Sequence, residues 1–102
     1  MDAYGINQTG QQTLTVSTTA VSLTLPTGVG AKPKHALIYV GNANVRWIAE
    51  GTTPTSTLGM PVAAGSYISW LEPGFNYYGM ISRVQFIRDD ATDATLEIFY
   101  FD

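Results

Sequence analysis

The closing stretch ATLEIFYF, residues 94–101, decides the fold class. Leu96, Ile98 and Tyr100 fall on one side of an extended chain, and Glu97, Phe99 and Phe101 fall on the other. Successive side chains of a strand point to opposite faces, so this two-residue period marks a β-strand with a buried face. The other face is unusual. An isolated sandwich would carry polar groups there, whereas Phe99 and Phe101 are large and apolar. They need a cover, supplied either by the fold itself or by a neighbouring subunit.

Moving outward, the same period recurs. In TLTV (13–16), Leu14 and Val16 share a face; in AVSLTL (20–25), Val21, Leu23 and Leu25 do. In SYISWLE (66–72), Ile68 and Trp70 pair up, and in SRVQFIR (82–88), Val84 and Phe86 oppose Arg83, Gln85 and Ile87. HALIYV (35–40) is almost continuously apolar, which predicts a central strand covered on both faces. VRWIA (45–49) follows Gly41-Asn42 at the spacing of a hairpin. PTGVGAKP (26–33), Pro73-Gly74 and DDATD (89–93) punctuate as loops and turns. FNYYGM (75–80) is aromatic and broken by glycine. No window has a helical period of useful length, so the expectation is an all-β antiparallel sandwich or barrel. Residues 1–12 (MDAYGINQTGQQ) are polar and rich in Gln and Asn; they read as a flexible N-terminal arm before a single domain at 13–102.

Composition narrows the class further. A chain of 102 residues makes one domain. Only 13% of residues are charged, against roughly 25% in ordinary soluble domains. A free monomer relies on surface charge for solubility, so this deficit implies that much of the surface faces other protein. The five bases (Lys32, Lys34, Arg46, Arg83, Arg88) are scattered within a net charge of −3, which disfavours nucleic acid as a partner. With no cysteine there is neither a disulfide framework nor a thiolate metal site. No segment approaches the ~18 apolar residues of a membrane helix, so no membrane partner is expected. The start lacks signal-peptide character, which predicts synthesis and folding in a cytoplasm.

The search for chemistry returns little. His35 is the single histidine, beside Lys34 at the head of an apolar strand, with no cysteine and no serine elbow to serve. Glu50, Glu72 and Glu97 are the carboxylates a glycosidase pair would need, but nothing in the sequence makes two of them converge. DDATD lacks the alternating spacing of a calcium loop and reads as an acidic turn. Trp70, Phe75, Tyr77 and Tyr78 would supply a stacking platform for a carbohydrate, with interior packing as the plainer account. No catalytic, cofactor or metal residues are assigned, and the chain is not expected to be an enzyme.

The remaining feature is the neutral loop inside VRWIAEGTTPTSTLGMPVAAG (45–65). Pro54 fixes its own φ and pushes Thr53 to extended geometry, while threonine hydroxyls satisfy backbone groups locally. Such a loop is a shape, ordered at low entropic cost on docking. Residues 46–70 resemble a pattern in small virion proteins of tailed bacteriophages. It consists of Arg46-Trp47, the loop Glu50-Gly51-Thr52-Thr53-Pro54-Thr55, the step Gly59-Met60-Pro61, and the turn Ala64-Gly65. The likeness extends over roughly residues 14–101; Glu50 stands where the pattern more often has Asp.

The resemblance implies a virion structural protein with a jelly-roll-like β-sandwich of about seven or eight short strands. It points to a capsid decoration (cement) protein on the capsid surface, bound to the major capsid protein and self-associated, with a trimer favoured for avidity. Tyr4 and Ile6 of the arm, Thr52, Thr53, Pro54 and Thr55 of the loop, and Phe99 and Phe101 are the expected partner-binding residues. The alternative is a tail, neck or fibre module that binds a carbohydrate or receptor.

Overall fold

The computed structural model describes residues 8–27 and 31–102. Within them the alternating segments become strands β1 (Gln8–Val16), β2 (Val21–Ser22), β3 (His35–Gly41), β4 (Val45–Ile48), β5 (Met60–Val62), β6 (Tyr67–Trp70), β7 (Gln85–Arg88) and β8 (Ala94–Phe101). One short helix, α1 (Tyr78–Ile81), interrupts them and buries Ile81. Tyr4 and Ile6 lie outside the described residues.

The strands form two four-stranded sheets, ordered β1-β8-β3-β6 and β2-β7-β4-β5. Every strand pair is antiparallel. Only β4 and β5 are consecutive strands paired in one sheet; every other step along the chain crosses to the opposite sheet. That wiring is the jelly-roll form of the β-sandwich. We call the first sheet long, since β1, β8 and β3 have nine, eight and seven residues. The second is short, with strands of two to four residues.

The register places the apolar sets as the alternation requires. Ile38 sits opposite both Ile98 and Ile68, and Ala36 sits opposite both Tyr100 and Trp70. Cross-strand partners share a face, so these rows stack on one side of the sheet. From the short sheet Val45, Phe86 and the adjoining Val84 meet them, and all three are fully buried. Each such side chain contributes about 1.5–3 kcal/mol by leaving water. At one end the core becomes aromatic: Trp47 meets Trp70 edge to face at 5.5 Å, and Tyr77 stacks on Trp70 at 6.4 Å.

Three expectations need correction. First, β3 and β4 do not form a hairpin. The chain between them turns a corner from the long sheet to the short one, with Asn42 at φ 68° and Ala43 buried. Hairpin spacing and an inter-sheet corner have the same length, and buried Ala43 tips the choice. Second, the flexible arm does not extend to residue 12. Residues 8–12 belong to β1 and pair with β8. Their polarity misleads because a ladder is made by backbone groups, and Gln12 spends its side chain inside: its Oε1 accepts from the Tyr100 hydroxyl at 2.9 Å and the Thr24 N–H at 3.0 Å. Third, β3 lies within the sheet, between β8 and β6, and its inner face is fully covered, but on its outer face only His35 is buried while Leu37 and Tyr39 are half-buried.

Candidate interaction surface

The outer face of the long sheet is built by the same alternation that builds the core. With Leu96, Ile98 and Tyr100 inside, Phe99 and Phe101 point outward and remain half-buried. Phe99 lies opposite Leu37 of β3 and Gln11 of β1, and Phe101 opposite His35. Further along, Tyr39 packs on Tyr67 of β6 with ring centres 5.1 Å apart, and Tyr67 is 61% exposed. The four strands of this sheet hold a single acid, Glu97, and no Lys or Arg. Even that carboxylate is engaged, since it accepts from the Thr13 hydroxyl at 3.0 Å. The result is a partly aromatic surface with a single charged group. Among the described residues nothing covers Phe99 and Phe101 completely.

The loop after β4 belongs to the other side of the molecule. Thr55 and Leu58 exchange backbone hydrogen bonds of 3.0 and 3.2 Å, and the Thr55 hydroxyl accepts from the Leu58 N–H. The Thr52 N–H donates to Glu50, and the Thr52 hydroxyl and N–H together hold that exposed carboxyl below its usual pKa. Local hydroxyls therefore satisfy the loop backbone as expected. Gly59 ends the loop at φ 132°. A Cβ there would meet Arg46 Cβ and Trp47 O at 3.2 Å, so the close approach suits glycine.

Pro54 was expected to present itself to a partner, but the structure corrects this: it is fully buried within its own chain. A rigid apolar ring with no N–H is a good anchor for a loop folding back on its sheet. Thr52, Thr53 and Thr55 remain exposed around it. Thr55 and Ser56 share a groove of about 420 Å³ with Thr18, Ile87, Arg88 and Asp90. Ile87 lies on the outer face of the short sheet, opposite Arg46. Arg46 in turn donates to Gly59 O at 3.0 Å and pairs with Asp89 at 3.1 Å. The loop thus closes over a sheet face that carries charge.

The groups weighed for chemistry are dispersed. His35 is 5% exposed, with its ring edge to Tyr77 at 6.1 Å, and neither ring nitrogen has a hydrogen-bond partner among the described residues. In the acidic turn, Asp89 faces Arg46, Asp90 accepts from the Asn44 N–H, and Asp93 pairs with Arg88 at 2.7 Å. Three acids with three separate partners do not converge on an ion. Of the aromatics weighed as a platform, Trp70, Tyr77 and Phe75 form a row, with ring centres 6.4 Å apart at each step. Trp70 is 7% exposed and packed between Trp47 and Tyr77, and Phe75 is the only member with its ring largely in solvent. Comparison with protein-family models, with curated proteins and with solved structures finds no match to this chain.

Proposed function

We propose that this chain is a structural protein of a tailed-bacteriophage particle, a capsid decoration protein that docks on the shell and bridges capsomers. The observation that carries the proposal is the outer face of the long sheet, where Phe99, Phe101, Leu37 and Tyr39 lie half-buried beside a single acid, hydrogen-bonded to Thr13, and no base. Apolar area of this kind drives association by leaving water. The likeness of residues 46–70 to small virion proteins supplies the kind of particle. Jelly rolls recur in viral capsid domains, but also in lectins and cupins, so the fold supports the proposal without selecting it. The major capsid protein is the proposed partner, with the exposed threonines of the 52–55 loop as a second contact. Self-association would multiply weak contacts with a repeating lattice.

The test is co-sedimentation with tailed-bacteriophage shells assembled from a major capsid protein. The wild type should pellet with the shells. The variant Phe99→Ser/Phe101→Ser, shown by circular dichroism to be folded, should bind at least about tenfold more weakly, equivalent to ~1.4 kcal/mol. A wild type that stays in the supernatant removes the proposal.

A further inference from the structure

The two sheets have four edges, and three are short. β6 has four residues, β2 has two, and β5 has three, of which Pro61 lacks an N–H to offer. β1 is different. It runs nine residues, contains no charged residue and no proline, and pairs only on its β8 side among the described residues. Its register is regular from Gln11↔Phe99 to Val16↔Ala94, with the single irregularity at Gln8/Gly10. Natural sheets blunt their edges with charges, proline, bulges or brevity, because a row of unpaired N–H and C=O groups is a template for another strand. Here the central part of the edge has none of these devices. A groove of about 350 Å³, lined by Gly10, Gln12, Thr24, Pro26 and Tyr100, opens beside its first half.

We propose that β1 pairs edge to edge, antiparallel, with β1 of a second copy of this chain, joining two long sheets into one eight-stranded sheet. The absence of charge selects this occupant. An isologous two-fold lays a strand against itself, so any charge near the axis would meet its like, and β1 has none. With the axis at the strand midpoint, Gln12, Gln11 of each copy lies opposite Thr13 of the other on the outer face. Among the described strands the nearest acids, the two Glu97 side chains, are then three strand spacings apart and offset by two residues, about 16 Å in all, which exceeds the ~8 Å screening length at physiological salt. Leu14 and Val16 stay in their own cores, because pairing along an edge leaves the facing of side chains unchanged. The outer faces carrying Phe99 and Phe101 come to lie side by side in one continuous surface.

The experiment is the solution mass of the full chain by light scattering, at high micromolar concentration and without any particle. Its failure is therefore separable from failure of the shell proposal. The wild type should have the mass of a dimer. Gln11→Lys/Thr13→Lys sets lysine opposite lysine on both sides of the axis, and should have the mass of a monomer with the circular dichroism of the wild type. A monomeric wild type overturns the inference, and so does an oligomer whose mass the lysines leave unchanged. Should the lysine variant not fold, Gln11→Cys/Thr13→Cys decides, since the chain has no cysteine of its own. Under oxidation it should run as a covalent dimer, and a monomer on the non-reducing gel overturns the pairing.

Discussion

The two outer faces of the sandwich are finished in opposite ways. The short sheet is closed by its own chain: the loop after β4 folds back with Pro54 buried, Gly59 pressed against Arg46, and the Arg46–Asp89 pair beside it. On the long sheet the outward row is buried only at its His35 end; Leu37, Tyr39, Phe99 and Phe101 stay half-buried, and the row is aromatic and nearly without charge. A chain this poor in charge still spends two arginines, Arg46 and Arg88, on the strands of the short sheet and none on the long one. The side with charge is closed by its own chain, and the side nearly without it is the one we propose meets another protein.

Neighbouring residues on opposite faces of β8 give the sharpest way to break this contrast. Ile98 is fully buried while Phe99 is half-buried on the outer face. Ile98→Ala should cost about 2–5 kcal/mol by lost transfer and a residual cavity, read from urea unfolding. Phe99→Ser should cost the isolated chain about 1 kcal/mol or less, the scale of a cross-strand pair. Equal losses at the two positions would mean that Phe99 is core, and that the long sheet is already closed.

Tyr100 tests how the β1 side of the core is held. Its hydroxyl lies 2.9 Å from Gln12 Oε1 and 3.1 Å from Thr24 O, and burial raises its pKa from 10.0 to about 12. The unfolded chain releases this proton near pH 10 while the folded one keeps it. Stability that is complete below pH 10 is therefore lost as the pH climbs toward 12. The two-unit difference corresponds to on the order of 2 kcal/mol by pH 12. Tyr100→Phe should flatten that part of the pH profile relative to wild type and lower stability near neutrality by about 1 kcal/mol. An unchanged alkaline profile in the variant would show that Tyr100 is not the group responsible.

Much of this architecture was legible in the sequence because a half-buried strand states its facing through side chains. The inward sets of β6, β7 and β8 follow directly from Ile68/Trp70, Val84/Phe86 and Leu96/Ile98/Tyr100. What was hidden depends on backbone or on distance along the chain. Residues 8–12 pair through groups that every residue has, so their Gln-rich composition gave no sign of a strand. The corner at Asn42 has the length of a hairpin. Pro54 reads as an exposed turn residue because proline in a Thr-rich loop is the ordinary sign of a surface turn, and its burial shows only in the fold. Of the candidate surface, Phe99 and Phe101 were visible from alternation alone. Their alignment with Leu37, and the open edge of β1, required the strand order.

The loop over the short sheet should respond less than the core and more than surface charge. Gly59→Ala forces a side chain into φ 132° with backbone and Arg46 at 3.2 Å, which should cost about 1–3 kcal/mol in thermal or chemical unfolding. The loss should be the same at low and high salt, since its origin is steric. A variant as stable as wild type would show that the loop lifts off at little cost, and that the short sheet is no better closed than the long one.

The smallest effect concerns the ion pairs. Arg46 and Asp89 are about a quarter exposed, and Arg88 and Asp93 are 25% and 50% exposed. Partly solvated pairs gain little Coulomb energy after desolvation and side-chain ordering, so Asp93→Asn should cost below about 1 kcal/mol and less in high salt. Arg46 has more to lose, because its guanidinium also donates to Gly59 O and helps tie the loop to its sheet. Asp89→Asn removes only the charge and leaves that tie in place, so it should resemble Asp93→Asn. Comparing the two by urea unfolding at low and high salt separates electrostatic closure of the short sheet from closure by packing. Losses of several kcal/mol that vanish in salt would make charge the fastening of that face; small losses leave Pro54 and Gly59 as what holds it shut.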